Sequence, residues 1–197
     1  MTGNGKRKPQ HIPEVLSPAD EARLLQQVNL HHSSGPRNLA ILRLLLDTGL
    51  RASELINLKV RDLDFTTGRL WVRQGKGRKD RGLFFNGKCG EALQSWLAVR
   101  ASSGNLPNLF TSLDGHRPIC GRWLRGFIKG LGEKIGAPWL HVHSLRHCFG
   151  SDLLARTKNL VLVQQALGHA SIQTTTIYTH ISQPELEAAM KDLRGGK

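Results

Sequence analysis

The stretch VRDLDFTTGRLWVRQGKGRKDRGLFF, residues 60–85, decides the fold. Val60 to Phe65, Arg69 to Arg73 and Arg81 to Phe85 read as strands, each bounded by turn-forming residues. Thr66-Thr67-Gly68 makes the first turn, and Gln74 to Asp80 (QGKGRKD) makes a second, very basic hairpin. Connections this short join antiparallel neighbours, so the stretch predicts one small three-stranded antiparallel sheet.

On both sides the apolar residues return to helical spacing. Ser17-Pro18-Ala19-Asp20-Glu21 is a helix start: Ser17 can cap, Pro18 suits the first helical position, and the acids suit the positive end of the dipole. That helix is predicted to reach about Val28. After Gly35-Pro36, the set Leu39, Leu42, Leu45 and Leu46 predicts a second helix that stops near Gly49, and Arg51 to Leu58 begins a short third. Downstream, helices are predicted over about 88–100, 119–134, 143–156, 160–167, 171–180 and 184–193, with a short extended piece at Leu109 to Ser112. The fold class is α+β and mainly α-helical. Residues 1–16 read as a flexible basic arm, and residues 17–197 as a single domain. Its end, 183–197, contains an amphipathic tail helix whose apolar face is Leu186, Ala189, Met190 and Leu193.

Charge narrows the partner. Lys and Arg number 28 against 15 Asp and Glu, a formal net charge of +13 and a pI near 10.4. That excess in one small domain is the signature of a polyanion partner. Nucleic acid fits. An anionic membrane surface would call for an amphipathic helix with a basic polar face and an aromatic apolar one, which the sequence lacks. No apolar run approaches the roughly 20 residues that span a bilayer. Met1 to Gln10 is polar and basic, unlike a secretory signal. Cys89, Cys120 and Cys148 match no zinc or redox spacing and read as reduced thiols, so a cytoplasmic location is expected.

Breaking a DNA phosphodiester without a metal makes three demands. Negative charge gathers on the non-bridging oxygens of the pentacoordinate transition state, and fixed guanidinium forks suit it. A tyrosine nucleophile with a pKa of about 10 needs about 4 kcal/mol to become phenolate at neutral pH. The departing sugar alkoxide is far more basic, near ~15.7, so a proton donor must stand beside it. The sequence offers each part. Arg51 begins a helix just after Gly49, with Glu54 one turn on to brace it. His143 and Arg146 share one helix face. His169 follows Gly168 at a helix end, Lys76 sits at the tip of the basic hairpin, and Tyr178 is the only tyrosine in the chain.

These residues fall in TGLRASEL (48–55), GKGRKDR (75–81), HSLRH (143–147), LGH (167–169) and TTIYTH (175–180). In that order and spacing the chain resembles the tyrosine recombinase (lambda-integrase-like, Xer-like) family from about residue 17 onward. The resemblance implies that Arg51 and Arg146 clamp the scissile phosphate, with Glu54 supporting them. Lys76 would be the general acid for the 5′ oxygen, His143 would assist deprotonation of the tyrosine, and His169 would hydrogen-bond a phosphate oxygen. Tyr178 would form a 3′-phosphotyrosine link, which stores the bond energy for resealing without ATP or metal. Arg78, Lys79 and Arg81 would contact DNA. The implied partner is double-stranded DNA at a specific site, bound by a homotetramer whose tail helix docks on a neighbour, with a monomer when free. In the monomer the tail could instead pack on its own domain and hold Tyr178 from the pocket. Many members carry a separate N-terminal DNA-clamping domain; here there is room only for an arm, so weak, salt-sensitive DNA binding is expected.

Plainer readings stand beside these. Arg51 and Glu54 could be a surface pair, worth tenths of a kcal/mol. Lys76 could be one more phosphate contact, with Lys79 in the catalytic role. Tyr178 could be a core residue. His141 and His143 form an HxH pair, but no carboxylate or cysteine is placed to complete a zinc site, so no metal or cofactor is expected. Asp62 and Asp64 are read as flanking a turn rather than binding metal. The functional alternatives are type IB topoisomerase-like relaxation of supercoils and a DNA-binding accessory protein without catalysis.

Overall fold

In the computed structural model the described residues are 14–73, 80–100 and 106–168, together with 187, 188, 190, 191 and 193. Their centre is a helix that is apolar almost all round. This is α2 (Gly35–Thr48), on which Ala40, Ile41, Leu42, Leu44, Leu45 and Leu46 are all buried. A helix without a polar face must be enclosed. It is packed by α4 (Gly87–Val99), by α6 (Val142–Thr157) and, more lightly, by α1 (Pro18–Gln26).

The ends of these helices are set by local chemistry. Ser17 and Asp20 form a reciprocal capping box at the start of α1, with Pro18 in its first turn. The last turn of α2 closes on Gly49, whose φ of 58° is left-handed and whose N–H returns to the Leu45 carbonyl at 3.0 Å. A Cβ there would also collide with the Phe149 ring, so glycine is required twice over. The chain leaves Gly49 directly into α3 (Ala52–Asn57), and this abrupt reversal brings Arg51 back toward the core.

The sheet is antiparallel in the order β1 (Leu63–Asp64), β2 (Arg69–Val72), β3 (Arg81–Phe84), with Leu70 opposite Leu83 and Val72 opposite Arg81. The first strand is much shorter than the six residues predicted. Two aspartates cut it down. Asp62 accepts from the Lys59 N–H at 3.0 Å and closes a 3-10 turn over Val60–Asp62. Asp64 accepts from the N–H groups of Thr66 and Thr67 and from the Thr67 hydroxyl, ending the strand in an Asx turn. Both carboxylates flank turns, as expected, and Asp62 also accepts from Arg73 Nε at 2.7 Å.

Beyond the sheet, α4 is capped by Asn86, which accepts from the Cys89 N–H at 2.9 Å. The extended piece predicted at Leu109 to Ser112 forms isolated bridges, Lys59 to Asn108 and Thr111 to Pro118. Helix α5 (Gly121–Lys134) leads to α6, whose capping box joins His141 and Ser144. Helix α7 (Leu160–Leu167) is capped by Asn159 and ends on Gly168, with a left-handed φ of 61°. From the expected tail helix, Met190 and Leu193 are buried within this chain's own core. The expected helix over 171–180 and residues 1–13 of the arm lie outside the described residues.

Candidate active site

Three arginines from three elements converge on the end of α7. Arg81, from the start of β3, donates from Nε to the carbonyl of Ala166 at 3.0 Å. Arg146, from α6, donates from Nη2 to the carbonyl of Leu167, and from Nη1 to that of Gly49 at 2.6 Å. Arg51, at the head of α3, donates from Nη2 to the carbonyl of Gly168 at 3.0 Å. Three consecutive carbonyls each receive a guanidinium. The last carbonyls of a helix have no acceptor role inside it and carry the negative end of its dipole, so they suit cations.

Glu54 ties two of the three together. Its Oε1 and Oε2 accept from Arg81 Nη1 and Nη2, both at 2.9 Å, a bidentate fork. The same carboxylate accepts from Arg51 Nη1 at 2.9 Å and from the Arg51 backbone N–H at 2.8 Å. Burial alone would raise the Glu54 carboxyl, but the hydrogen bonds and charges of Arg81 and then Arg51 hold it down at about 2. Arg146 is buried, at 3% exposure. Burial and the neighbouring charge of Arg51 push its guanidinium down to about 10, so it stays a cation at neutral pH.

His143 lies on the exposed side of α6, one turn before Arg146. Its ring stands 4.5 Å, centroid to centroid, from that of His147 and 6.3 Å from that of His141. Partial burial, followed by His147, Arg146, His141 and Arg51, holds its imidazole below the ordinary histidine range. A histidine in that state is neutral at pH 7 and free to take a proton.

The structure therefore gathers Arg51, Glu54, Arg81 and Arg146, with His143 beside them. Lys76, Arg78, Lys79, His169 and Tyr178 lie outside the described residues. The placement of Arg81 corrects its expected use as a DNA contact. Its side chain is only 11% exposed, and its guanidinium is given to Glu54 and Ala166. The signal that could have revealed this is strand parity: Arg81 shares its side of β3 with buried Leu83. A second feature emerges only from the fold. Helix α5 exposes Arg122, Arg125 and Lys129 at helical spacing along one side. Among the described residues no cluster of His, Cys, Asp and Glu is arranged to hold a metal ion, and no helix is long and apolar enough to cross a membrane.

A helical domain with a small three-stranded sheet and an arginine pair meeting before a Gly-His step defines the catalytic domain of an integrase-type protein. The chain belongs to the phage integrase family, whose model matches residues 14–185. It is 39% identical over 178 residues to the tyrosine recombinase XerC of Pseudomonas putida (strain W619), covering 90% of this chain and 59% of that protein. It is 33% identical over 183 residues to the XerC of Staphylococcus carnosus (strain TM300), covering 91% of this chain and 61% of that one. The chain thus spans about three fifths of the length of the curated relatives it matches. Among solved structures, the XerA recombinase superposes with a TM-score of 0.74 at 36% identity, over 91% of this chain and 65% of that one. A XerH site-specific recombinase bound to palindromic difH substrate, in a post-cleavage complex, superposes with a TM-score of 0.70 at 26% identity, over 91% of this chain and 53% of that one.

Proposed function

We propose that this domain cleaves and rejoins double-stranded DNA at a specific site through a 3′-phosphotyrosine intermediate, as a site-specific recombinase. The observation that carries the reading is the convergence of Arg51 and Arg146, from separate helices, immediately before His169. Two preset guanidiniums can neutralise the non-bridging oxygens of a scissile phosphate as charge builds on them. Tyr178 Oη attacks phosphorus, His143 in its neutral form takes the phenolic proton, and the bond from phosphorus to the 5′ oxygen breaks. Lys76 donates the proton that this oxygen requires, and His169 donates a hydrogen bond to a phosphate oxygen. The products are a tyrosyl phosphodiester and a 5′ hydroxyl. A 5′ hydroxyl from the partner duplex reverses the step, so the cycle needs neither ATP nor a metal.

The formal charge of +13 and the exposed basic stripe on α5 support DNA as the partner. The XerH complex with difH DNA supports it by likeness. The active assembly is a homotetramer on DNA, in which the tail leaves its own domain for a neighbour; the free chain is a monomer with the tail packed in cis. The test is incubation with a nicked duplex from which the short 5′-hydroxyl fragment can diffuse away. A protein–DNA adduct that survives denaturation, and is lost in Tyr178→Phe, is the expected result. Absence of any adduct on DNA selected by the protein itself would refute the reading.

A further inference from the structure

Arg81 takes no part in the reaction as proposed, yet among the described residues its guanidinium makes more hydrogen bonds than those of Arg51 and Arg146. It makes two bonds to Glu54 and one to the Ala166 carbonyl, and these engage all three of its nitrogens. Lysine could not replace it, because a single ammonium cannot grip both carboxylate oxygens and a carbonyl in one plane. The chain also makes room for it. A Cβ on Gly168 would stand 3.0 Å from Arg81 Nη1 and 3.1 Å from its Cδ, so the left-handed turn that ends α7 is seated directly on this side chain.

We propose that Arg81 is a positioning residue for the phosphate-binding arginines. It acts by two routes that start from the same guanidinium. Through Glu54 it fixes the carboxylate that holds both the side chain and the backbone N–H of Arg51. Through Ala166 it fixes the last turn of α7, whose next two carbonyls hold Arg146 and Arg51. Without Arg81, Glu54 keeps a single cationic partner and the α7 end loses one of its three anchors. Both phosphate-binding arginines then gain freedom, and misplacement of about 1 Å costs about 100-fold in rate. The hairpin between β2 and β3 is tethered at its far end by the same contact, so strand, helix and phosphate clamp share one fixed point. The inference rests on the recombinase reading, because it needs Arg51 and Arg146 to hold the phosphate.

The experiment uses the full chain and a nicked duplex whose sequence the wild-type protein has selected, as covalent adduct, from a randomised pool. Four proteins are compared: wild type, Arg81→Met, Glu54→Gln and the double variant, with Arg81→Lys as a fifth that keeps the charge. Adduct formation is followed in a single turnover at saturating DNA and well below each protein's Tm, and DNA affinity is measured separately across a salt series. The expected result is a rate at saturation about 100-fold lower in Arg81→Met with Kd unchanged. Arg81→Lys recovers part of the rate, and the double variant is little slower than the worse single one. A normal saturating rate in a folded Arg81→Met protein would make the residue merely structural and overturn the proposal. Weaker binding, a salt slope reduced by about 0.9 and a normal rate would instead make it a phosphate contact. Fully multiplicative losses in the double variant would refute action through Glu54. If Arg81→Met fails to fold, the Arg81→Lys rate and the Glu54→Gln rate decide between the same outcomes. Wild-type protein that forms no adduct sinks the recombinase reading itself, a result distinct from an active wild type with an indifferent Arg81.

Discussion

Arg73 and Arg81 flank the same basic hairpin, eight positions apart, and the structure uses them in opposite ways. Arg73 leaves β2 toward solvent: its side chain is 54% exposed, and it pairs with Asp62 at 2.7 Å. Arg81 enters β3 facing inward, 11% exposed, in a fork with Glu54. Both are arginine–carboxylate pairs. One fastens the hairpin to the buried carboxylate of Asp62 in the 3-10 turn, and the other fastens it to Glu54, which also holds Arg51. The lesson is that a run of basic residues has no uniform role. What separates its members is the depth at which the backbone delivers each one.

The largest effect is expected on the buried side, where Arg146→Lys removes a planar fork and lowers the single-turnover adduct rate by about 1000-fold, with the nicked-duplex assay as the readout. Next comes Glu54→Gln, which leaves two guanidiniums facing a neutral amide. It lowers the unfolding free energy by about 3 kcal/mol, measurable by urea titration. The pH dependence identifies the group responsible. With the Glu54 carboxyl held at about 2, well below its ordinary value near 4.5, its contribution is complete above about pH 4.5 and fades as pH falls toward 2. Wild type should lose this increment across that window, and Glu54→Gln should not; parallel curves for the two proteins would contradict the buried fork.

A smaller shift concerns His143, the proposed proton acceptor. Because His143 is held below the ordinary histidine value of 6.5, the acid limb of the adduct-rate profile should fall below pH 6.5. In His143→Gln that limb should disappear; its persistence would transfer the role to another group. The smallest effect is expected at the exposed arginine. Arg73→Met should leave the saturating adduct rate where it was and lower the Tm less than Glu54→Gln does, since Asp62 is buried but keeps its bond from the Lys59 N–H. A loss comparable with that in Arg81→Met would erase the distinction between the two ends of the hairpin.

Much of this organisation was legible in the sequence, for local reasons. Ser17-Pro18-Ala19-Asp20 marked the start of α1 because cap and proline act over one turn, and Gly49 marked the end of α2 because only glycine sits easily at its φ. Arg51 and Glu54 stand out because they follow directly on Gly49, His143 and Arg146 because they sit three residues apart on one helix face, and all four because their motifs fall in the order of the family the chain resembles. What escaped were long-range matters. The strand expected over Val60 to Phe65 dwindled because Asp62 and Asp64 found closer hydrogen-bond partners than a neighbouring strand. Arg81 stands beside Arg78 and Lys79 in the chain, whereas its partner Glu54 is 27 residues away. The meeting of three guanidiniums at Ala166, Leu167 and Gly168 depends on how α7 docks against α3, β3 and α6, which no single motif encodes.

That meeting bears on the entropy of the DNA recognition proposed for this domain. A free arginine side chain samples many rotamers, and immobilising it costs up to about 2 kcal/mol. Here the carbonyls at the end of α7 order Arg51 and Arg146 as the domain folds, long before any nucleic acid arrives. On the proposed function, an incoming phosphate would meet groups already stationary, and less of its attraction would be spent on stilling them.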